Sequence, residues 1–123
     1  MSSVLKLTIT TLSGFVCLLM PAVTEAFYEL NAGGGQCAEI GEWSSSTLTC
    51  TLTQNINEPV IIRSPLVVLD GRGHTIDVVA DGGDYAVEID GVLGATVENL
   101  SLVGGGVYAN RAGSANIRFN TFR

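Results

Sequence analysis

Apolar residues come in two textures along this chain. From Leu7 to Val23 they dominate an uncharged stretch, whereas after Ala26 they fall into short runs rich in Val and Ile, split by Gly, Asn and Asp. The second texture is the punctuation of strands and turns, with no long helical period. Leu48, Cys50 and Leu52 alternate with Thr47, Thr49, Thr51 and Thr53. That period of two predicts a strand with one buried and one wet face, and it places Cys50 on the apolar side.

From Pro59 onward the pattern repeats. Val87-Glu88-Ile89 is answered twenty residues later by Val107-Tyr108-Ala109, and Val97, Leu100 and Leu102 by Ile117, Asn120 and Phe122. An earlier copy runs through Val60-Ile61-Ile62, a Ser64-Pro65 turn and Leu66 to Leu69, reaching Ile76 by a longer connection through Gly71-Arg72-Gly73. A fixed period near twenty predicts stacked units of two or three short strands. Each strand would then pair in parallel with its equivalent in the next unit, about 4.8 Å away, and inward residues would form a core that no single unit could make. Glu98 and Arg118 fall on one outward position, where their charges can pair. Asn120 sits at a bend, placed to bond neighbouring backbone.

Three stretches carry a family resemblance. Leu69-Asp70-Gly71-Arg72-Gly73-His74-Thr75-Ile76 resembles a coil-opening motif of parallel β-helix repeat proteins. Ala95 to Leu102 and Ala115 to Phe122 resemble the coils that follow. The likeness spans roughly Thr47 to Arg123 and implies the pectin-lyase-like superfold: an all-β, right-handed parallel β-helix of about three coils. That fold hosts lyases, hydrolases, epimerases, adhesins and phage spikes, so it says little about function. A leucine-rich repeat has a similar period but needs Leu at fixed offsets, where these units vary.

The first 26 residues change the picture of destination. A single Lys6, an apolar stretch, and small residues before a cut after Ala26 have the layout of a secretory signal peptide. A membrane anchor is the alternative, but Thr, Ser, Gly and Pro21 interrupt the run. Cys17 lacks the setting of a lipoprotein site. Cleavage leaves one small domain, with residues 27–58 as an N-terminal capping segment and first strand and residues 59–123 as parallel β-helix coils. Cys37 and Cys50 are then the only pair available for a bridge, and a secreted chain this small gains from one. Free thiols or a metal pair are the alternatives, and no nearby His supports a zinc site. Trp43, between them, either covers the open end of the core or stacks on sugar. The expected location is extracellular or periplasmic.

Acidic residues outnumber basic ones twelve to six, a formal charge of −6. This argues against nucleic acid and anionic membrane as partners, since both call for basic patches. A polyanionic substrate is repelled unless Ca²⁺ bridges or the arginines cluster.

Two groups of residues invite chemistry. Asp77 to Asp84 forms a long loop that supplies most of the excess in the Leu69-to-Val97 spacing, 28 residues instead of twenty. Asp77, Asp81 and Asp84 offer hard oxygens to Ca²⁺, or simply make a solvated turn; no other cofactor is called for. Asp70, Arg72 and His74 alternate onto one outward side. A lyase needs a base and charge neutralisation, and a hydrolase needs paired carboxylates; Asp70-Gly71 is also a good turn pair. Gly33 to Gly35 and Gly104 to Gly106 read as flexible connections. Tyr85 and Tyr108 either face outward as sugar platforms or serve as strand formers.

Arg123 follows directly on an apolar strand, so no C-terminal cap is visible. The expectation is a truncated N-terminal portion of a longer protein, or an end buried by a partner, self-association included. Two functions follow as expectations. One is a polysaccharide-facing module of a lyase-, hydrolase- or epimerase-like enzyme. The other is a non-catalytic, adhesin-like or structural module. No convincing catalytic cluster decides between them.

Overall fold

A computed structural model describes residues 27–82 and 84–123. The expected signal peptide, with Cys17, lies outside the described residues. In chain order the elements are β1 (Tyr28–Leu30), α1 (Cys37–Ile40), β2 (Gly41–Ser44), β3 (Thr49–Leu52), β4 (Val60–Ile62), β5 (Val68–Asp70) and β6 (Thr75–Asp77). They continue as β7 (Tyr85–Asp90), β8 (Thr96–Glu98), β9 (Ser101–Val103), β10 (Gly106–Asn110), β11 (Asn116–Arg118) and β12 (Thr121–Phe122).

The strands build three sheets, ordered β1-β4-β7-β10, β11-β8-β5-β3-β2 and β12-β9-β6. From β4 onward the chain visits the first, second and third sheet in turn, three times over. All strand pairings are parallel except β2 with β3. The twenty-residue period is the register itself: Val107 lies beside Val87, Ile117 beside Val97, and Phe122 beside Leu102. The longer spacing is equally in register, with Leu69 beside Val97 and Val60 beside Val87.

Inward positions form continuous apolar rows. Leu30, Ile62 and Ile89 make one, Cys50, Leu69 and Val97 a second, and Ile56, Ile76 and Leu102 a third; all are buried. Strands this short are unstable alone, so these rows carry the stability. Alternation sends Asp70, Glu98 and Arg118 outward on the second sheet, and Arg118 Nε donates to Glu98 Oε1 at 2.9 Å.

Bends between the second and third sheets lock the register. Asn120 Oδ1 accepts the Leu100 N–H at 3.0 Å, and its Nδ2 donates to the Val97 carbonyl at 3.0 Å. One side chain thereby ties its own bend to the one before it. Gly71 is needed for close approach: a Cβ there would run into the Leu100 side chain and stand 2.6 Å from the Asn99 carbonyl oxygen.

The N-terminal segment holds more than the single strand expected. β1 pairs with β4 and opens the first sheet. Cys37 and Ile40 share one face of α1 and bury it, where a loop was expected. The alternation read through Thr47 and Leu48 begins only at Thr49. Leu48 stands at φ 52° in the turn of a β2–β3 hairpin, and Thr47 Oγ1 donates to Ser44 Oγ across that turn at 3.0 Å. Cys37 and Cys50 are disulfide-bonded, as expected. Trp43 pairs in register with Cys50, packs against the core, and lies close over Gly34. It covers this end of the core. Among the described residues no helix is long and apolar enough to cross a membrane.

Two outcomes test this packing. Gly71→Ala should destabilise the protein by about 1–3 kcal/mol through overpacking. Combined with Leu100→Ala it should cost less than the two single changes added, because the clash with the Leu100 side chain is relieved while that with the Asn99 carbonyl stays; urea unfolding midpoints give the comparison. Reducing the Cys37–Cys50 bridge, whose partners are 13 residues apart, should lower stability by about 3 kcal/mol, read as a fall in the same midpoint on adding reductant.

Candidate functional site

Asp70, Arg72 and His74 follow one another on the bend from β5 to β6, but each has a separate neighbourhood. Asp70 Oδ1 accepts the Arg72 N–H at 3.0 Å and Asn99 Nδ2 at 3.1 Å. It is a turn-forming carboxylate of the kind that bonds backbone two residues on. Arg72 stands at the tip, at φ 49°, and borders a hollow of about 320 Å³ with Asn99, Ser101 and Phe119. His74 Nδ1 lies 3.3 Å from Asn55 Oδ1, which also accepts the Thr75 N–H at 2.9 Å. An amide oxygen only accepts, so the half-buried His74 presents Nδ1–H to it. Among the described residues no hydrogen bond or ion pair between side chains joins Asp70, Arg72 and His74.

The three loop aspartates divide. Asp77 Oδ1 accepts the Val79 N–H at 3.0 Å, another local turn. Its hollow, about 510 Å³, is shared with Tyr28, Glu39, Gln54 and Asn55. Asp81 and Asp84 instead border a different hollow of about 310 Å³ with Phe27, Pro59, Ile61 and Tyr85. Among the described residues no three His, Cys, Asp or Glu side chains are grouped as a metal ion would need.

The outer face of the first sheet brings most chemistry together. Its outward row reads Glu29, Ile61, Glu88, Tyr108 across four strands. Tyr85 starts β7 opposite Gly106, where a register shift lets the β10 edge slip by a residue. The Tyr85 and Tyr108 rings stand 5.9 Å apart at 33°, within the range of favourable aromatic pairing. Asp84 and Tyr85 border both the Phe27 hollow and a second one of about 400 Å³ with Gly106, Val107 and Tyr108. The two hollows therefore adjoin as a shallow groove, with Ile61 in the lining of one part and Val107 in that of the other. Gly105 belongs to its construction: a Cβ there would stand 2.9 Å from the Tyr85 backbone. The triple glycine is thus a close-packed crossing here, not the flexible connection expected.

One end of the groove is fixed by Arg63. Its Nη1 donates to Glu29 Oε1 at 3.0 Å and its Nε to Asp90 Oδ2 at 3.4 Å, while its guanidinium lies 5.3 Å from the Phe27 ring centre. The cation holds the ring by its face. Its charge is committed to two carboxylates, which leaves Asp81 and Asp84 in the lining, with Glu88 beside Tyr85, to make the groove negative. Burial, and next a hydrogen bond with Glu88, push the Tyr85 phenol above its ordinary value of 10.0. Burial, then Glu58 and Glu39, do the same for Tyr28.

Phe27 and Arg63 were not singled out in the sequence. Arg63 could have been: aligning Ile62 with Ile89 sets it beside Asp90. Phe27 adjoins the expected cut and carries no local signal. The arrangement offers aromatic faces for stacking and carboxylates that accept hydrogen bonds.

Compared with known proteins, the chain matches no family model, no curated protein and no solved structure.

Alkaline spectrophotometric titration should show Tyr28 and Tyr85 ionising above pH 10. A raised folded-state value means that stability is intact below the ordinary tyrosine range and declines as pH rises through it. Glu88→Gln should lower the Tyr85 midpoint while leaving part of its elevation, because burial is the larger cause.

Proposed function

We propose that this chain forms an exported, right-handed parallel β-helix of the pectin-lyase-like kind, and that its Tyr85–Tyr108 groove holds a neutral saccharide. Three sheets visited in turn, in twenty-residue register, support the β-helix reading. The disulfide fits an oxidising compartment and is compatible with the signal peptide read from residues 1–26. The observation that carries the binding reading is the pair of tyrosines from successive repeats, 5.9 Å apart. They stand in a groove lined with carboxylates. Aromatic faces meet the apolar faces of sugar rings, and carboxylates accept from sugar hydroxyls.

Charge selects the substrate class. Asp81 and Asp84 line the groove, Glu88 partners the Tyr85 phenol, and the Arg63 charge at its end is paired with Glu29 and Asp90. A uronate chain meets repulsion there, and a neutral glycan does not. A Ca²⁺ ion bridging Asp81 and Asp84 would relax this rule, so polyuronate binding that appears only with Ca²⁺ would assign those two residues a metal role.

The non-catalytic form of this reading is favoured by particular bonds. Asp70, Asp77 and His74, the groups best suited to acid–base work, are engaged in turns and a neighbouring amide. The groove then anchors the molecule to a glycan, as an adhesin-like or structural module does.

Calorimetric titration should show neutral oligosaccharides binding and oligogalacturonate failing to bind in chelator. Tyr108→Ala, at a half-exposed ring, should weaken binding about tenfold, equivalent to the energy of one aromatic contact. Incubation with pectin or alginate should release no unsaturated or reducing ends. Binding that is unchanged in Tyr108→Ala, or tighter for uronates without metal, would sink the groove assignment.

A further inference from the structure

The contacts of Arg63 belong to a row that crosses the whole first sheet. Arg63 follows β4, Asp90 ends β7 and Asn110 ends β10, and the strand register sets the three side by side. Asn31 follows β1 at the same level. Arg63 Nη1 donates to Glu29 Oε1 and its Nε to Asp90 Oδ2. The second oxygen of each carboxylate is held as well: Asn31 Nδ2 donates to Glu29 Oε2 at 3.4 Å, and Asn110 Nδ2 donates to Asp90 Oδ1 at 3.4 Å. One cation therefore sits between two carboxylates, and an amide steadies each carboxylate from its far side.

Stability is a minor part of what this row does. The Arg63, Glu29 and Asp90 side chains are 40%, 35% and 32% exposed, and ion pairs in such settings contribute little. Charge at the groove is the larger part. A guanidinium keeps its proton at any working pH, so only neighbouring carboxylates can cancel its charge. That charge reaches the groove lining. The guanidinium faces the Phe27 ring, which borders the hollow with Asp81, Asp84 and Tyr85. Tyr85 senses it too: burial and Glu88 push its phenol up, and Arg63 opposes them.

We infer that Arg63 is the specificity-determining residue of the groove: clasped by Glu29 and Asp90, it holds the Phe27 ring while its charge is hidden from the ligand, and this masking reserves the groove for neutral glycans. The inference rests on the saccharide reading and adds the device that sets its charge selection. Without the mask, Arg63 offers a uronate carboxylate the planar fork of N–H donors that carboxylates bind best. Glu29 and Asp90 come from different repeats, so the stacking of the strands is what assembles the mask.

Calorimetric affinities for neutral gluco-, manno- and galacto-oligosaccharides and for oligogalacturonate in chelator supply the test. Glu29→Gln combined with Asp90→Asn keeps acceptor oxygens beside Arg63 but removes both negative charges. It should raise oligogalacturonate affinity, relative to the neutral probe that binds, at least about tenfold, the scale of one charge-assisted hydrogen bond. Adding Arg63→Gln to that pair should abolish the gain, which separates an unmasked cation from a mere loss of negative charge. Misfolding would lower both affinities and leave no gain for Arg63→Gln to remove. An unchanged ratio in the double variant, or a gain that persists without Arg63, would overturn the inference and leave the groove standing. A wild-type chain that binds none of the neutral probes would remove the groove and the inference together.

Discussion

Everything in this structure depends on parallel strands of two to six residues holding their register from one repeat to the next. None of these strands could bury a core of its own. Val97 is buried because Leu69 and Ile117 flank it on either side, and Leu102 because Ile76 and Phe122 do. A slip of one residue would turn Glu98 inward and Val97 outward, since strand side chains alternate. The bends resist such a slip. Asn120 grips the Leu100 N–H and the Val97 carbonyl together, and Leu100 fills the space that Gly71 leaves open. The same repeat length that stacks the core therefore also stacks the bends.

That constraint also builds the groove. Two tyrosines meet because β7 and β10 are neighbours in the first sheet, not because they are close in sequence. The Asp77-to-Asp84 loop lengthens one repeat without disturbing the inward rows on either side of it, as Val60 beside Val87 and Ile76 beside Leu102 show. Extra residues are tolerated where they leave the sheet, and that is where Asp81 and Asp84 reach the hollow beside Phe27. Scaffold and site are thus largely separable: one is set by rows facing in, the other by what is inserted facing out.

The repeating part of the fold was legible because its signal is a comparison of the chain with itself. Val87 against Val107, Val97 against Ile117 and Glu98 against Arg118 needed no tertiary knowledge, and each pair lies in register. The N-terminal segment has no second copy to compare with. A one-turn α1 leaves only two apolar residues three apart, too short a pattern to separate from a loop. The run of Thr and Leu at 47–53 looked like one strand because a hairpin turn built from Ser and Thr hydroxyls has the same composition as a wet strand face. The closing of the β1 edge by Gln36 depends on a backbone contact seven residues away, which no spacing rule announces. The site candidates fared as turn residues often do. Asp70 and Asp77 were noticed for their carboxylates, and each spends an oxygen on the backbone two residues on. Asp-Gly and Asp-Val turns write the same letters as catalysis.

The contrast between the two ends is a physical asymmetry in how edge backbone is satisfied. A strand edge buried away from water must find partners for its N–H and C=O groups. At β1 those partners are built in: Gln36 supplies one acceptor and one donor to Glu29, and the disulfide keeps α1 against the first strands. At β10, β11 and β12 the inward rows continue apolar and the outward row changes sign, from Glu98 to Arg118. The Arg118–Glu98 ion pair turns that change of sign into a contact between neighbouring strands.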